Sequence, residues 1–206
     1  MNAASHDTTT LTATDTAPLP LPRSARLKAD TMATHDVLDK RIMASAPFEN
    51  NQNYARFLLA QYAFLRDVDA LYDHPGLADL LPDLAERRRY ASIAADLQDL
   101  DTPLPAPAAA PIDNRIDVAT ALGWLYVSEG SKLGAAILYK LAGKIGLDEH
   151  FGARHLAGHP DGRARHWREF TSALDHAKLD AAGEARVIDG ARAAFMRMHG
   201  HVEALS

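Results

Sequence analysis

The chain has 206 residues, 24% of them charged, and a formal net charge of −5, a balance that excludes a nucleic-acid binder with a broad basic surface. Hydrophobic residues reach 47%, enough for a core, and one domain is expected at this length. There is no cysteine, which removes disulfides, thiolate metal sites and a Cys nucleophile and fits a reducing compartment.

Residues 1–24 are rich in Thr, Ala and Pro and read as a disordered tail. They lack the basic and apolar regions of a secretory signal, so cytoplasm is the expected location. A first helix is expected over 24–44, where Leu27, Thr31, Leu38 and Ile42 recur at helical spacing and His35 falls on the same inward stripe. Pro47 ends it. A second helix, 51–72, carries Tyr54, Leu58, Leu65, Val68 and Tyr72 inward, with Phe57 and Phe64 beside them and Gln61 as the polar exception. His74-Pro75-Gly76 breaks it, and residues 77–81 read as a short turn. A third helix, 84–100, turns Tyr90, Ile93, Ala94 and Leu97 inward, and Arg87-Arg88-Arg89 reads as its solvated face.

Residues 101–112 are Pro/Ala-rich and read as an extended crossover between two halves of one fold. A long apolar helix follows over 115–147, bent at its glycines. Glu129, Lys132, Lys140 and Lys144 interrupt it, so no segment is expected to span a membrane. Residues 152–163 form a loop dense in Gly and His. A helix over 164–174 turns Trp167, Phe170 and Leu174 inward, and a last helix over 181–203 does the same with Ala185, Ile188, Ala191, Phe195 and Val202. No run alternates as a strand would. The expected fold is all-α, a single-domain bundle of six or more helices with its ligand site between helices.

Two features stand out chemically. The long helix carries Gly123, Gly130 and Gly134, and each mid-helix Gly costs about 1 kcal/mol relative to Ala. Their spacings of seven and four put them on one bare face, suited either to a tightly packed neighbouring helix or to a flat ligand. Ser131 and the polar run around it favour the ligand. His35 shares its stripe with apolar residues and reads either as a buried, hydrogen-bonded histidine or as a neutral imidazole on a metal. With no neighbouring ligand set, that metal suits a haem iron better than zinc, because the porphyrin supplies four ligands. His155 and His159 are separated by Gly158 and precede Pro160, which argues against a helical metal pair.

Three segments together resemble the bacterial haem oxygenase family, in its Gram-negative branch. Leu27-Lys28-Ala-Asp30-Thr31-x-x-x-His35-Asp36-x-x-Asp39 is similar to the family's proximal helix. Gly123-Trp-Leu-Tyr126-x-x-Glu-Gly130-Ser131-x-Leu-Gly134 is similar to its distal helix. The run from Gly152 through Arg154, His155, His159 and Pro160 to His166-Trp167 is similar to the segment that follows. The likeness covers about residues 25–200.

The resemblance implies haem as both substrate and cofactor, held between the proximal and a kinked distal helix. It implies that O2 and electrons from an external reductase, ferredoxin or flavodoxin open the ring to biliverdin, CO and Fe2+, for iron acquisition or bilin supply. It places His35 on the iron and Gly130, Ser131 and Gly134 over the other haem face. Lys28 and Tyr126 would hold propionates, which favours the α isomer, and Gln61, Arg154 and His155 would belong to a distal water network. Phe64 and Phe195 would wall the pocket. Lys132 stands where this branch commonly has Asn, and Lys140 is a second cation that could compete for propionates. A monomer is expected. A non-catalytic haem carrier or sensor on the same scaffold, or a bundle without haem, are the other readings.

Overall fold

The computed structural model describes residues 21–205; residues 1–20 and Ser206, and with them most of the expected tail, lie outside the described residues. Helix α1 (Arg23–Ala44) begins directly after Pro22, inside the stretch expected as tail. Its first turn is anchored from a distant part of the chain. Asp175 accepts from the Ser24 N–H at 2.7 Å and from the Ser24 hydroxyl at 2.8 Å, placing an anion where the helix exposes free N–H groups. Arg23 is buried and donates to the Ala177 carbonyl at 2.8 Å and to Glu184 at 2.9 Å.

Helix α2 (Asn51–Val68) starts on Asn50, whose side chain accepts from the Asn53 N–H at 2.9 Å. It tightens into a 3₁₀ turn, Asp69–Asp73, before the proline break and the single turn α3 (Pro75–Ala78). The expected third helix is divided. A 3₁₀ turn, Leu84–Arg87, and α4 (Tyr90–Asp99) flank Arg88, whose backbone is extended. The break sends the three consecutive arginines to different partners, so they are not a solvated face. Arg87 reaches Glu129 at 3.1 Å, Arg88 reaches Asp69 at 3.1 Å, and Arg89 donates to the carbonyls of His155 and Ala157.

Helix α5 (Val118–Gly143) is shorter than 115–147 at both ends; Asp117 caps it, accepting from the Thr120 N–H at 3.2 Å. Its helical assignment runs unbroken through Gly130 and Gly134. Helices α6 (Arg163–His176) and α7 (Ala181–Glu203) complete the bundle, and among the described residues there is no strand.

Helix α7 is the spine of the fold, with α1, α2 and α5 packed along it. α1 and α7 run side by side in the same direction: Arg26 meets Glu184, His35 meets Phe195, and Arg41 meets Glu203. The approach of α5 is closer still. A Cβ at Gly190 would sit 2.5 Å from the Thr120 carbonyl oxygen, and one at Gly123 would sit 2.7 Å from the Ala191 nitrogen. Gly123 therefore serves helix packing, through a partner glycine on α7. The face expected to unite Gly123 with Gly130 and Gly134 changes its neighbour along the helix, from α7 backbone to the Trp167 ring to open space. Ala185, expected inward, is exposed, and Val187, Ala191, Ala194, Phe195 and Val202 form the buried side of α7.

Candidate active site

Helices α1 and α5 come together where the Tyr126 hydroxyl lies beside the Thr31 side chain. The Thr31 hydroxyl itself donates to the Leu27 carbonyl at 2.7 Å. Tyr126 is half-buried, its ring 5.7 Å from that of Trp167, and burial raises its hydroxyl pKa against the lowering influence of the Thr31 side chain. One turn beyond this contact lie His35 on α1 and Gly130 on α5, and one turn further lies Gly134. Spacings of four keep them on the sides of their helices that face each other at the contact.

The His35 side chain is 55% exposed, which corrects the expectation of a buried residue on the inward stripe. Leu27, Thr31 and Leu38 are buried, whereas the imidazole between them faces open space. Its Nδ1 lies 3.3 Å from Asp39 Oδ2, and the Phe195 ring stands edge-on to it at 6.0 Å and 76°. A carboxylate beside Nδ1 leaves Nε2 as the ring nitrogen available to a metal.

On α5, a Cβ at Gly134 would meet nothing within 4 Å, and one at Gly130 would meet only the rim of Trp167 at 3.6 Å. Ser131 is exposed, but its hydroxyl donates back to the Ser128 carbonyl at 2.7 Å. Lys132 turns away from this surface into the bundle. Its Nζ donates to the Arg87 carbonyl and to Glu129 Oε1, both at 2.5 Å, and lies 5.5 Å from the centre of the Tyr72 ring. Burial lowers the Lys132 pKa to about 8, opposed by the Glu129 carboxylate. Lys140 is exposed a further two turns along α5.

A second polar cluster joins α2, α4 and the 3₁₀ turn Arg154–Leu156. Gly152, at φ +75°, makes the turn that delivers this segment. Its N–H donates to Asp99 at 2.8 Å, and its carbonyl accepts from the Tyr54 hydroxyl at 3.0 Å. His155 is buried between Asp96, 2.7 Å from Nδ1, and the Gln61 amide, 2.8 Å from Nε2. Burial pushes its pKa down, against the raising influence of Asp96. Burial also works against ionisation of Asp96, but the hydrogen bonds from His155 and Arg154 hold its carboxyl below the usual range. The Arg154 guanidinium is bound to Asp99, to Asp96 at 3.2 Å and to the His150 carbonyl.

The structure thus joins His35 to Phe195, Tyr126 to the same side of the bundle, and Gln61 to His155 and Arg154. Lys28 is exposed two turns before His35, and its ammonium bonds to nothing among the described residues. Phe64 is buried and stacked on Trp124 at 6.4 Å, in the core. Sequence reasoning missed Asp39 as the His35 partner and Asp96 and Asp99 as anchors. Asp96 left a trace: it lies on the stripe of Ile93, Leu97 and Leu100, where a carboxylate is out of place.

These residues fit a haem. Among the described residues no group of three or more His, Cys, Asp or Glu could hold a bare metal ion. A metal at His35 must bring its other ligands with it, as a porphyrin does, and no atom would lie within 4 Å of a Cβ at Gly134. Fold and site together are those of a helical protein suited to hold a flat, axially ligated group.

The chain belongs to the haem oxygenase family: the Heme oxygenase family model matches residues 22–204. Over 175 residues it is 45% identical to Heme oxygenase PigA of Pseudomonas aeruginosa, covering 85% of this chain and 88% of that one. The NO- and CO-bound heme oxygenase of Neisseria meningitidis superposes with a TM-score of 0.85 at 40% identity, over 90% of this chain and 92% of that one. Heme oxygenase from Leptospira interrogans, 17% identical with a TM-score of 0.68 over 89% of this chain and all of that one, shares the fold. The chain is a haem oxygenase, an all-α oxidoreductase whose substrate is haem.

Proposed function

We propose that the chain opens haem to biliverdin, releasing CO and Fe2+, with His35 as the axial ligand and electrons from an external reductase, ferredoxin or flavodoxin. The observation that carries this reading is the exposed His35 imidazole, with Asp39 on Nδ1, on the side of α1 that faces the bare surface at Gly134. Bound haem supplies the iron that activates O2 and is itself the ring that is cut. The protein's part is narrower.

His35 Nε2 would hold the iron, with Asp39 beside Nδ1 to orient the ring. Gly130, Ser131 and Gly134 let the helix backbone lie against the other face, where larger side chains would hold it off. No acid projects from those positions, and protons come instead through waters ordered by Gln61, Arg154 and His155. The exposed Lys28 ammonium binds one propionate by a charge-assisted bond. Tyr126 donates to the other, while the Thr31 hydroxyl beside it stays bound to the Leu27 carbonyl. Together they fix the ring's rotation and favour the α isomer. Phe195 excludes water beside His35, and Phe64 backs the wall through Trp124. Lys132, bound to Glu129 and the Arg87 carbonyl, braces α5 from behind. We place the enzyme in the cytoplasm as a monomer, serving iron acquisition or bilin supply; the cysteine-free composition supports that compartment.

Titration with haemin tests the ligand assignment. The wild type should give a saturable Soret shift that His35→Ala loses or weakens strongly. The same shift and affinity in His35→Ala would refute it.

A further inference from the structure

The Asp96–His155–Gln61 chain has a direction that its geometry settles. Asp96 is fully buried and accepts four hydrogen bonds. Oδ1 takes the Arg154 N–H at 2.9 Å and the Arg154 guanidinium at 3.2 Å. Oδ2 takes the His155 N–H at 2.9 Å and faces His155 Nδ1 at 2.7 Å. An ionised carboxylate only accepts, so the proton on that last contact belongs to Nδ1. A neutral imidazole then carries a lone pair on Nε2, yet the atom set 2.8 Å from Nε2 is Gln61 Oε1. Two acceptors do not approach that closely. The oxygen and nitrogen of a glutamine amide have nearly the same shape, so the hydrogen-bond partners decide which is which. Here they require the amide NH2 towards His155.

We propose that Asp96 is a positioning residue that locks His155 as the Nδ1–H tautomer and thereby turns the Gln61 carbonyl oxygen away from His155. The competing state is an imidazolium donating to both neighbours. It would place a cation in a buried site whose nearby charges are Asp96, Arg154 and the Arg89 guanidinium bound to the His155 carbonyl. Burial disfavours it. A pair of backbone N–H bonds holds Asp96 in place whatever the imidazole does, so the carboxylate dictates the tautomer and not the reverse. The outer end of Gln61 is therefore a hydrogen-bond acceptor. The catalytic consequence rests on the proposed role of Gln61 and His155 in the distal network: water beyond Gln61 is oriented with a proton towards the amide. Reversing the tautomer would present NH2 there and reverse the chain.

The test is 15N NMR of imidazole-labelled, haem-free protein, with His155 assigned by its loss in His155→Gln. The wild type should show one neutral tautomer, protonated at Nδ1 and unprotonated at Nε2. An Nε2–H tautomer, or a doubly protonated ring at neutral pH, would overturn the proposal. In Asp96→Ala the Nε2–H form should take over; retention of Nδ1–H in a folded variant would overturn it. Gln61→Met alters only a half-buried side chain and keeps the protein measurable if Asp96→Ala does not fold. It should leave Nδ1–H in place, and a switch to Nε2–H would assign the control to Gln61 and overturn the proposal. Turnover gives a separate readout: a tautomer switch should slow it roughly 100-fold at unchanged haemin affinity. A switch with normal turnover would leave the tautomer assignment standing and refute the distal-network role.

Discussion

Replacing Gly134 should make the haem-free protein more stable and the enzyme worse. A Cβ at Gly134 meets nothing within 4 Å, and the residue sits inside an unbroken helix with ordinary helical backbone. Gly→Ala there recovers about 0.8–1 kcal/mol of helix propensity with no steric cost. For a chain of this size, that raises Tm by about 2–4 °C. Gly134→Leu should gain a similar amount, since Leu ranks close to Ala, but its side chain enters the space assigned to the ring. Gly123→Ala is the control with the opposite sign. Its Cβ would lie 2.7 Å from the Ala191 nitrogen and closer still to the Val187 carbonyl oxygen, backbone atoms of a packed helix. Overpacking of about 1–3 kcal/mol outweighs the propensity gain, so Tm should fall. The assay is a thermal melt of the haem-free variants, followed by haem turnover of each. A lower Tm in Gly134→Ala, or normal turnover and regiochemistry in Gly134→Leu, would refute the claim that this glycine is kept for close approach of a ligand.

Two further outcomes follow from the buried cluster behind α5. Glu129 is the carboxylate shared by Arg87 and Lys132, so Glu129→Gln should destabilise the protein by roughly 3 kcal/mol, measured by urea unfolding; a change below about 0.5 kcal/mol would show the cluster to be hydrated. Burial pushes the folded pKa of Lys132 down to about 8, from an ordinary value of 10.5. The unfolded chain therefore binds the extra proton between those values, and this group's contribution makes stability rise with pH from about 8 towards 10.5. Lys132→Met should remove that rise, so the wild-type Tm should climb relative to that of the variant as pH increases; parallel curves would contradict it.

The helices were legible in the sequence because nearly all bury a simple stripe: Leu58, Leu65 and Val68 on α2, Ile93 and Leu97 on α4, and Phe170 and Leu174 on α6 are all buried where periodicity puts them. The family motifs on α1 and α5 were legible for the same reason. What escaped was pairing between distant segments. Gly123 announces a close approach, but nothing local says that Gly190 will be there to receive it. Three adjacent arginines look like surface until Glu129, Asp69 and the His155 carbonyl are folded around them. His35 lies on the apolar stripe and is nevertheless exposed, although Thr31 and Leu38 on either side of it are buried. Lys132 differs again. Its spacing of three from Glu129 was a local signal, and its direction depended on where the Arg87 carbonyl came to rest.

The measurement that bears most directly on the account is turnover of the wild-type haem complex under O2 with a reductant. The account predicts loss of the Soret band, a red-absorbing biliverdin product of mainly the α isomer, and one CO per haem, with His35→Ala failing to form this product. A wild-type complex that keeps its Soret band unchanged under those conditions and releases no CO would contradict it and leave a haem carrier on the same scaffold.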